Sequence, residues 1–361
     1  MIVYKAAIIG TGGIAEAHMR AWQANAARER VIAAMDVDVG RVRDFAGAND
    51  IPGVYTDVAH MLAEVQPDLV HICSPPNMHV EQIVQCLDAG AWVFCEKPLC
   101  AGLADWDIIT AAEERTGRYC EVVFQWRWGS AARHLRRLIA DGTLGRPLTG
   151  ICDMHWFRPA AYFENPWRGH WETAFGGPTT NTGIHSMDMF LSTMGDWAEV
   201  TAMIGTLDHP TQVEDVSLAL VRFENGALAS FANTWVSARE ATRVRWDFQR
   251  ATVDCLSKSG YTNKDWRITP ASDANSAESD AIVAAWEAMD DVQATQIPQL
   301  AALLDAMDRG ERPQTSGTES RRTLEFISAL YKSAATGTLV RRGSIVPGDP
   351  FYARMWGTLG Q

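Results

Sequence analysis

Three patterns are missing from this sequence, and each absence excludes a class of protein. The seven cysteines are odd in number and include no C-x-x-C pair, so their spacing favours neither a disulfide framework nor a zinc site. No apolar run approaches the ~18 residues of a membrane span, and the chain begins without a signal-peptide pattern. We therefore expect a reduced, cytoplasmic setting.

The chain also lacks an excess of positive charge. It contains 32 Lys and Arg residues against 44 Asp and Glu residues, which gives a formal net charge of -12, and no basic stripe offsets this balance. Nucleic acids and anionic membranes both reward clustered basic side chains. We therefore expect neither nucleic acid nor a membrane as a partner.

The composition is that of an ordinary globular protein, with 47% hydrophobic and 21% charged residues. One hydrophobic core rarely serves 361 residues, so two domains are predicted. The pattern of the chain changes near residue 125. We therefore predict one domain over residues 1–124 and a second over residues 125–361.

A glycine-rich turn follows the first predicted strand and precedes an amphipathic helix. Its sequence, Gly-Thr-Gly-Gly-Ile-Ala, is the G-x-G-x-x-A form of the dinucleotide fingerprint. Gly10 permits the tight turn, Gly12 lets the backbone approach a pyrophosphate, and the start of the helix offers unpaired N–H groups to the phosphates. The residues of this turn that we predict to contact the cofactor are Gly10, Thr11, Gly12, Gly13 and Ile14.

An acidic residue stands where the second predicted strand ends. Asp36 lies near the spacing at which a carboxylate hydrogen-bonds the adenosine ribose. A carboxylate there repels a 2′-phosphate, so NAD is favoured over NADP, and a nearby Arg41 would soften that preference. The alternative role for Asp36 is to cap the next helix, for which Asp38 competes.

Strand and helix signals alternate as far as residue 124, without an internal repeat. This alternation is typical of an α/β fold with a doubly wound parallel sheet, in which ligands bind beyond the carboxyl ends of the strands. Ser74, Asn77 and His79 follow the apolar strand at residues 69–73. We predict that they line the cofactor crevice, although a Ser-Pro-Pro-Asn turn needs no ligand.

A short apolar run ends abruptly in Glu96, Lys97 and Pro98. The run, at residues 91–95, is predicted to be a buried parallel strand, so Lys97 falls at the carboxyl edge of the sheet. Pro98 disfavours helical backbone at Lys97 and permits a cis bond between the two residues. We predict a chemical role for Lys97, with Glu96 and Lys97 both near the cofactor. The alternative is a solvated Glu–Lys pair on a surface loop.

The second half of the chain shows a period of two. Residues 216–223 and 227–235, joined across Glu224-Asn225-Gly226, give a strong hairpin signal. Antiparallel strands that pack on one face and are exposed on the other have this pattern. Residues 257–280 are polar and poorly periodic, so we predict a loop or edge excursion there. Two helical segments, at residues 293–307 and 318–335, close the predicted domain.

At this point the chain resembles the Gfo/Idh/MocA family, named for glucose-fructose oxidoreductase, inositol dehydrogenase and a rhizopine-catabolism protein. The stretches that carry the resemblance are GTGGIAEAH (10–18), SPPNMHVEQ (74–82), AGAWVFCEKPL (89–99), FQWRW (124–128), DGTLG (141–145), NPWRGHW (165–171), GGPTTNTGIHSMD (176–188) and ISALYKSAATG (327–337). The resemblance implies an NAD(P)-dependent oxidoreductase acting on a sugar, polyol or related cyclic alcohol. It also implies an α+β second domain with a large open sheet, and a homodimer or homotetramer.

The resemblance implies a catalytic set as well. Lys97 and His185 are the proton-transfer candidates, and Asn181, four residues before His185, would share one helix face with it. The family commonly has Asp at the position of Asn181, so the departure leaves Asn181 a hydrogen-bonding role toward the substrate. Asp188 is predicted to be an acid that the helix dipole stabilises, or a partner that orients His185.

Aromatic residues are frequent just before His185. The tryptophans in this cluster are Trp126, Trp128, Trp156, Trp167 and Trp171. Aromatic faces stack on the C–H surfaces of sugar rings, although core packing is the commoner role of tryptophan. Trp167 and Arg168 match a family Trp-Arg element near the cofactor.

Other predicted contacts lie just past the last strand of the first domain. There, Gln125 is predicted to contact the cofactor, and Arg127 and Trp128 the substrate. Surface charge is the alternative role for the arginine.

Oxidation of a secondary alcohol requires a base for the hydroxyl proton while hydride passes to nicotinamide. The predicted function is therefore NAD-dependent hydride transfer at a sugar or polyol, with Lys97 as the acid/base. Two alternatives remain open. One is an NAD-assisted glycosidase that oxidises a ring carbon transiently and then returns the hydride. The other is a non-catalytic sensor or regulator that binds a dinucleotide.

Overall fold

The computed structural model describes residues 2–360, which divide into two compact units. The first unit comprises the chain up to Val123 together with Gln296–Arg321. The second comprises Phe124–Thr295 together with the chain from Arg322 onward. Each unit contains one β-sheet with helices packed around it.

A six-stranded parallel sheet forms the centre of the first unit. Its strands are β1 (Tyr4–Ile9), β2 (Glu29–Met35), β3 (Gly53–Tyr55), β4 (Leu69–Ile72), β5 (Trp92–Cys95) and β6 (Cys120–Val122). They lie in the order β3-β2-β1-β4-β5-β6, and every neighbouring pair is parallel. The intervening helices are α1 (Ala15–Ala24), α2 (Val39–Ala48), α3 (Val58–Val65), α4 (His79–Asp88) and α5 (Leu103–Thr116). The predicted doubly wound sheet is confirmed.

The central strands are apolar along nearly their whole length because helices cover both faces of the sheet. In β1 the last four side chains, from Ala6 to Ile9, are buried, and all four residues of both β4 and β5 are buried. Burial of one large apolar side chain contributes roughly 1.5–3 kcal/mol. These short hydrophobic runs therefore leave no solvated position within the central strands, and solvated polar residues follow where the strands end.

An eight-stranded, mostly antiparallel sheet forms the second unit, as predicted. Its strands are β7 (Pro147–Phe157), β8 (Trp197–Gly205), β9 (Val216–Phe223), β10 (Leu228–Thr234), β11 (Val236–Phe248), β12 (Ala251–Ser257), β13 (Trp266–Pro270) and β14 (Val340–Arg341). Their order is β13-β12-β11-β7-β10-β9-β8-β14. Only β7 and β10 pair in parallel among the described strands of this sheet.

Helices complete both units. The remaining α-helices are α6 (Ser130–Ala140), α7 (Trp171–Ala174), α8 (Pro178–Asn181), α9 (Ile184–Met194), α10 (Ser276–Glu287), α11 (Gln296–Arg309), α12 (Gly317–Thr336) and α13 (Pro350–Ala353). Short 3-10 helices lie at Pro76–Met78, Gln125–Trp128, Ala160–Glu164 and Asn263–Asp265. None of the helices in residues 2–360 is long and apolar enough to cross a membrane.

The predicted hairpin is present as β9 and β10, with Leu228 opposite Arg222 and with Gly226 at a φ of 87° in the turn. The predicted loop at residues 257–280 is wrong in part, because it contains β13 and the start of α10. Trp266 on β13 stacks on Trp246 of β11, with the ring centroids 5.3 Å apart. This long-range stacking supplies the burial that the polar local sequence does not indicate.

Residues 296–321 differ from the predicted domain boundary, since the sequence assigned them to the second domain. In the structure α11 belongs to the first unit, and its stripe of Leu300, Leu303, Leu304 and Met307 joins the core formed by the β1, β2 and β4 strands and by α1. The physical reason is amphipathicity, because an apolar helix stripe must be buried against another element. Local periodicity predicts such a stripe but not the surface that covers it.

The burial of α11 makes a prediction about stability. Leu303→Ala removes a side chain with 0% exposure, and we expect it to lower the free energy of unfolding by about 2–5 kcal/mol in urea titrations. Asp305→Ala is the control, because Asp305 is exposed and makes a surface ion pair with Arg28 at 2.7 Å. Its loss should stay below about 1 kcal/mol. Equal losses in the two variants would contradict the inclusion of α11 in this core.

Candidate active site

The glycine turn between β1 and α1 is built for close approach on both of its sides. Gly10 has a φ of 85°, and a Cβ added there would lie 2.6 Å from the backbone nitrogen of Ser74, so only glycine fits. A Cβ at Gly12 or Gly13 would meet no described atom within 4 Å. The turn therefore packs against the end of β4 on one side and leaves its other side open. This open backbone at the start of α1 fits a pyrophosphate.

Asp36 lies directly beside this turn. It is only 6% exposed, and its carboxylate accepts hydrogen bonds from the Thr11 N–H at 2.9 Å and the Thr11 hydroxyl at 3.0 Å. Desolvation opposes ionisation, but the hydrogen bonds from Thr11 and Asp38 outweigh it and hold the pKa of Asp36 below its ordinary value. An ionised acid next to the fingerprint turn fits the two hydroxyls of an adenosine ribose.

The residue that caps the next helix is Asp38 and not Asp36. Asp38 precedes α2, and its carboxylate accepts the N–H groups of Gly40 and Arg41 at 3.0 Å each. Arg41 reaches both acids, with ion-pair distances of 3.3 Å to Asp36 and 3.3 Å to Asp38. Its guanidinium is therefore engaged by two carboxylates, which limits its use for a 2′-phosphate.

The polar residues after β4 have unequal roles. Asn77 is exposed, and the Ser74 hydroxyl donates to Gln82 at 2.5 Å. His79 is fully buried, and its two ring nitrogens lie 3.0 Å from the carbonyl oxygens of Pro98 and Ser74. The prediction that His79 lines the cofactor crevice is therefore wrong. Its ring instead ties the loop after β4 to the segment after β5, and burial lowers its pKa.

Lys97 follows the end of β5, as predicted. The residue is half-buried, and the Lys97-Pro98 peptide bond is cis. Glu96 is 5% exposed; its carboxylate faces His18 Nε2 at 3.2 Å and accepts the backbone N–H of Lys97 at 3.2 Å. The carboxylate of Glu96 therefore makes contacts within the protein. Lys97 lies at the carboxyl edge of the sheet, where the glycine turn also lies.

In the second unit, Asn181 and His185 do not share one continuous helix. The helix α8 ends at Asn181 and α9 begins at Ile184, with Thr182 at a φ of -115° between them. Gly183 packs against Asn233, whose side-chain oxygen would lie 2.0 Å from an added Cβ. Asn181 accepts a hydrogen bond from the Tyr162 hydroxyl at 3.0 Å. The His185 ring stacks on Trp126 with the centroids 6.4 Å apart and an interplanar angle of 17°. Both residues are half-buried.

Arg127 is not available to a substrate, so that prediction is wrong. Arg127 and Asp188 are each 0% exposed and form a bidentate ion pair, with Arg127 Nε donating to Asp188 Oδ2 at 2.6 Å. Thr323 also donates to Asp188, at 2.9 Å. A buried guanidinium requires a buried carboxylate partner, and Asp188 is that partner for Arg127.

The other residues predicted to contact the cofactor or the substrate in this region differ in their burial. Trp128 is 7% exposed and packs largely within the core, and its contact with the substrate stays a prediction. Gln125, Trp167 and Arg168 are half-buried. The Arg168 guanidinium lies 4.0 Å from the ring centroid of Tyr162 and 5.3 Å from that of Trp167. The cofactor roles of these three residues stay predictions.

Two further residues contact this region and were not predicted from the sequence. Tyr162 contacts both Asn181 and Arg168, and only its position just before the NPWRGHW stretch could have drawn attention to it. Glu214 is buried and accepts the N–H groups of Gly177 and Thr179 at 2.9 and 3.2 Å, which fixes the start of α8. Desolvation raises the pKa of Glu214 despite these hydrogen bonds. No local sequence signal indicates such a long-range contact.

Comparison with known proteins gives two matches along the chain. Residues 4–124 match the model of the Gfo/Idh/MocA oxidoreductase family with an NAD-binding Rossmann fold, and residues 132–255 match a Gfo/Idh/MocA C-terminal domain. Together the matched ranges cover well over half of the sequence. The chain belongs to the Gfo/Idh/MocA family. The predicted NAD cofactor and the predicted oxidoreductase class are thereby confirmed: the protein is an NAD-binding dehydrogenase.

Several relatives extend over nearly the whole chain. D-apiose dehydrogenase from Paraburkholderia graminis is 27% identical over 350 residues, which are 95% of this chain and 90% of the relative. D-glucoside 3-dehydrogenase from Escherichia coli is 24% identical and covers 93% of this chain and 97% of its own. The WlbA dehydrogenase of Bordetella pertussis, solved with NADH and UDP-GlcNAcA, matches with a TM-score of 0.83 at 21% identity, covering 94% and 98% of the two chains. The last likeness shows the fold.

The position of Asp36 leads to a test of cofactor preference. Asp36→Ala removes the carboxylate, and we expect the Kd for NADH to rise roughly 10- to 100-fold, the range for a lost charge-assisted hydrogen bond. The ratio of NADPH to NADH affinity should increase, because the repulsion of a 2′-phosphate is gone. Titration of nicotinamide fluorescence measures both constants. Asp38→Ala is the matched control, since it removes a helix cap but should leave the ratio unchanged.

Proposed function

We propose that this enzyme transfers hydride between NAD and a secondary alcohol of a sugar, polyol or related cyclic alcohol, with Lys97 as the acid/base. The position of Lys97 carries the proposal. Lys97 follows a buried parallel strand at the sheet edge that also holds the dinucleotide turn, and carboxyl ends of parallel strands meet at one edge. The substrates named for D-apiose dehydrogenase and D-glucoside 3-dehydrogenase support the substrate class.

The residues that would hold the dinucleotide follow from the contacts of the first unit. The backbone of residues 10–14 and the start of α1 would bind the pyrophosphate, and Asp36 would bind the ribose hydroxyls. Trp167 and Arg168 remain proposed contacts from the second unit. When bound, NAD⁺ supplies the hydride acceptor and a positive charge. The protein must then provide a base for the hydroxyl proton of the substrate.

A lysine serves as a base only when its ammonium form is destabilised. At the reference pKa of about 10.4 a lysine is almost fully protonated at pH 7, and a value near 7 to 8 requires roughly 3–5 kcal/mol. Partial burial of Lys97 works in this direction, whereas an ionised Glu96 would oppose it. In ketone reduction the protonated lysine would donate the proton and stabilise the developing oxyanion.

The second unit is proposed to supply His185 and Asn181. His185 would be a further proton-transfer group, with its ring held by Trp126. The side-chain oxygen of Asn181 accepts the Tyr162 hydroxyl, so Asn181 would donate through its amide nitrogen to a substrate oxygen. An aspartate at this position would add a negative charge, and asparagine avoids the resulting stabilisation of the lysine ammonium group.

The test of this function begins with a substrate panel. Pyranoses, inositols and anhydrosugars are incubated with NAD⁺ or NADP⁺, and the absorbance of the reduced nicotinamide is followed. With the best substrate, we expect Lys97→Met to lower kcat by about 10²–10⁴-fold, the usual contribution of a general acid/base. NADH binding should be retained, and the exposed Lys264→Ala should behave as the wild type. Full activity of Lys97→Met would exclude the acid/base role. Glycoside cleavage without net NADH would instead favour transient oxidation.

We also propose that chains associate through the open face of the eight-stranded sheet. Met203, Leu218, Leu220 and Leu228 point to one face, and they are 73%, 52%, 67% and 49% exposed, respectively. A contiguous apolar patch of this kind is typical of an interaction surface. We expect a dimer or tetramer in light-scattering measurements and a smaller species for Leu220→Glu. A monomeric wild type would contradict this proposal.

A further inference from the structure

Four buried titratable side chains form a chain across the first unit that ends beside Lys97. Its members are Glu96, His18, His71 and Glu29, and none is more than 5% exposed. They come from four elements, since Glu96 follows β5, His18 is on α1, His71 is in β4 and Glu29 begins β2. We refer to these four residues as the buried chain. The function proposed above gives no role to the last three.

The contacts within the buried chain are continuous. His18 Nε2 lies 3.2 Å from Glu96 Oε1, and His18 Nδ1 lies 2.9 Å from His71 Nδ1. His71 Nε2 lies 2.6 Å from Glu29 Oε1. The ring of Phe94 packs against both imidazoles, with centroids 5.2 Å and 5.6 Å away. Three hydrogen bonds therefore connect the four groups in an apolar environment.

The contact between two Nδ1 atoms fixes how protons can be arranged. It is a hydrogen bond only when one Nδ1 carries a proton and the other does not. When His18 donates, a neutral His71 has its proton on Nε2 and donates to an ionised Glu29, while Glu96 is protonated and donates to His18. When a neutral His71 donates to a neutral His18, every hydrogen bond runs the other way, so Glu96 is ionised and Glu29 is protonated.

Both arrangements contain three protons and one negative charge. Each proton moves only across its own hydrogen bond in passing from one arrangement to the other, yet the negative charge moves from Glu29 to Glu96. Removal of a proton would leave two buried negative charges, which is costly at this depth. A fourth proton placed on Glu29 Oε2 would have no hydrogen-bond acceptor, because this atom is buried and has no hydrogen-bond partner. Desolvation lowers the pKa of His18 and so favours neutral imidazole.

We propose that the buried chain is a proton relay that moves one negative charge toward Lys97 when the lysine becomes protonated and away from it when the lysine becomes neutral. The relay rests on the proposed function of Lys97, whose backbone N–H already binds Glu96. His18, His71 and Glu29 are positioning residues, because they act through Glu96 and do not touch the substrate.

The step balances in protons and charge. In alcohol oxidation the hydroxyl proton passes to Lys97 Nζ and hydride passes to NAD⁺. At the same time the three protons of the buried chain each shift across their own hydrogen bond toward Glu29, which leaves Glu96, the residue before Lys97, ionised. No proton enters or leaves the chain. The relay therefore stabilises the protonated form of Lys97 and withdraws this stabilisation from the neutral form.

Other titratable groups near Glu96 cannot supply this charge. His79 on α4, Cys73 just after β4 and Cys95 at the end of β5 all interact electrostatically with Glu96. Burial lowers the pKa of His79 and raises the pKa of each of the two thiols, so all three are held in their neutral forms. Glu29, at the far end of the chain, is the alternative position for the charge.

The first test is Glu29→Gln, which keeps the shape of the side chain but cannot carry the charge. The negative charge is then confined to Glu96, so the lysine ammonium group is favoured throughout. We expect the acid limb of the kcat/KM profile for alcohol oxidation to move to higher pH by about one pH unit, the lower end of the effect of one neighbouring charge. Below the limb the rate should fall about tenfold. His71→Leu, which interrupts the chain, should act in the same direction.

Glu113→Gln is the matched control, because Glu113 is a 2% exposed carboxylate on α5 outside the buried chain. It should leave the acid limb in place. Thermal melting and NADH titration show whether each variant is folded. An unmoved acid limb in folded Glu29→Gln and His71→Leu would overturn the relay.

A second measurement needs no substrate. Imidazole ¹⁵N spectra at pH 6 distinguish the two tautomers of His71 in the wild type and in Lys97→Met. We expect Nδ1–H in the wild type, where the lysine is charged, and Nε2–H in the variant. The same tautomer in both proteins would overturn the relay. A tautomer switch in a protein without dehydrogenase activity would support the relay and count against the proposed function alone.

Discussion

Coverage of the parallel sheet on both faces is the constraint on which the first unit depends. Along β4 and β5 every residue is buried, so these strands have no solvated position for a polar group. Polar residues therefore gather beyond the strand ends, where Ser74 and Lys97 lie and where Gly10 makes the turn into α1. Burial alone thus brings the dinucleotide turn and the proposed acid/base residue to one edge of one sheet.

Polar side chains inside such a core must be paired, and the pairing restricts what they can do. His71 and Glu29 lie within strands of the first unit and contact each other at 2.6 Å. Arg127 and Asp188 form a fully buried ion pair in the second unit. Removal of one partner from such a pair typically costs about 3–5 kcal/mol because the other charge remains buried. The two pairs differ in one respect, since an imidazole can change its tautomer whereas a guanidinium stays charged.

Much of the fold was predictable because it is encoded by local patterns. Short apolar runs indicated the parallel strands, and the spacing from Gly10 to Asp36 indicated the dinucleotide site. The predictions that failed concern partners distant in sequence. Arg127 has the appearance of a surface or ligand-binding residue until Asp188, 61 positions later, is seen to neutralise it. His79 has the appearance of a crevice residue until its ring is found between two carbonyl oxygens.

The break between α8 and α9 illustrates the same limit. A spacing of four residues predicts one helix face for Asn181 and His185, but it does not indicate that the helix is interrupted at Thr182, which has a φ of -115°. The membership of α11 in the first unit and the existence of β13 likewise depend on the surfaces that cover them. Local sequence specifies which side of an element is apolar, and tertiary packing decides what that side contacts.

The shortness of β14 has a consequence for the whole of the eight-stranded sheet. Two residues, Val340 and Arg341, pair with Val200 and Glu199, and the opposite border is formed by the five residues of β13, which end at Pro270. A long bare border strand would be a template onto which identical chains add strand by strand, as they do in fibrils. Both edge strands here expose only a few backbone N–H and C=O groups to a strand of another chain. The sheet is thereby protected against open-ended polymerisation.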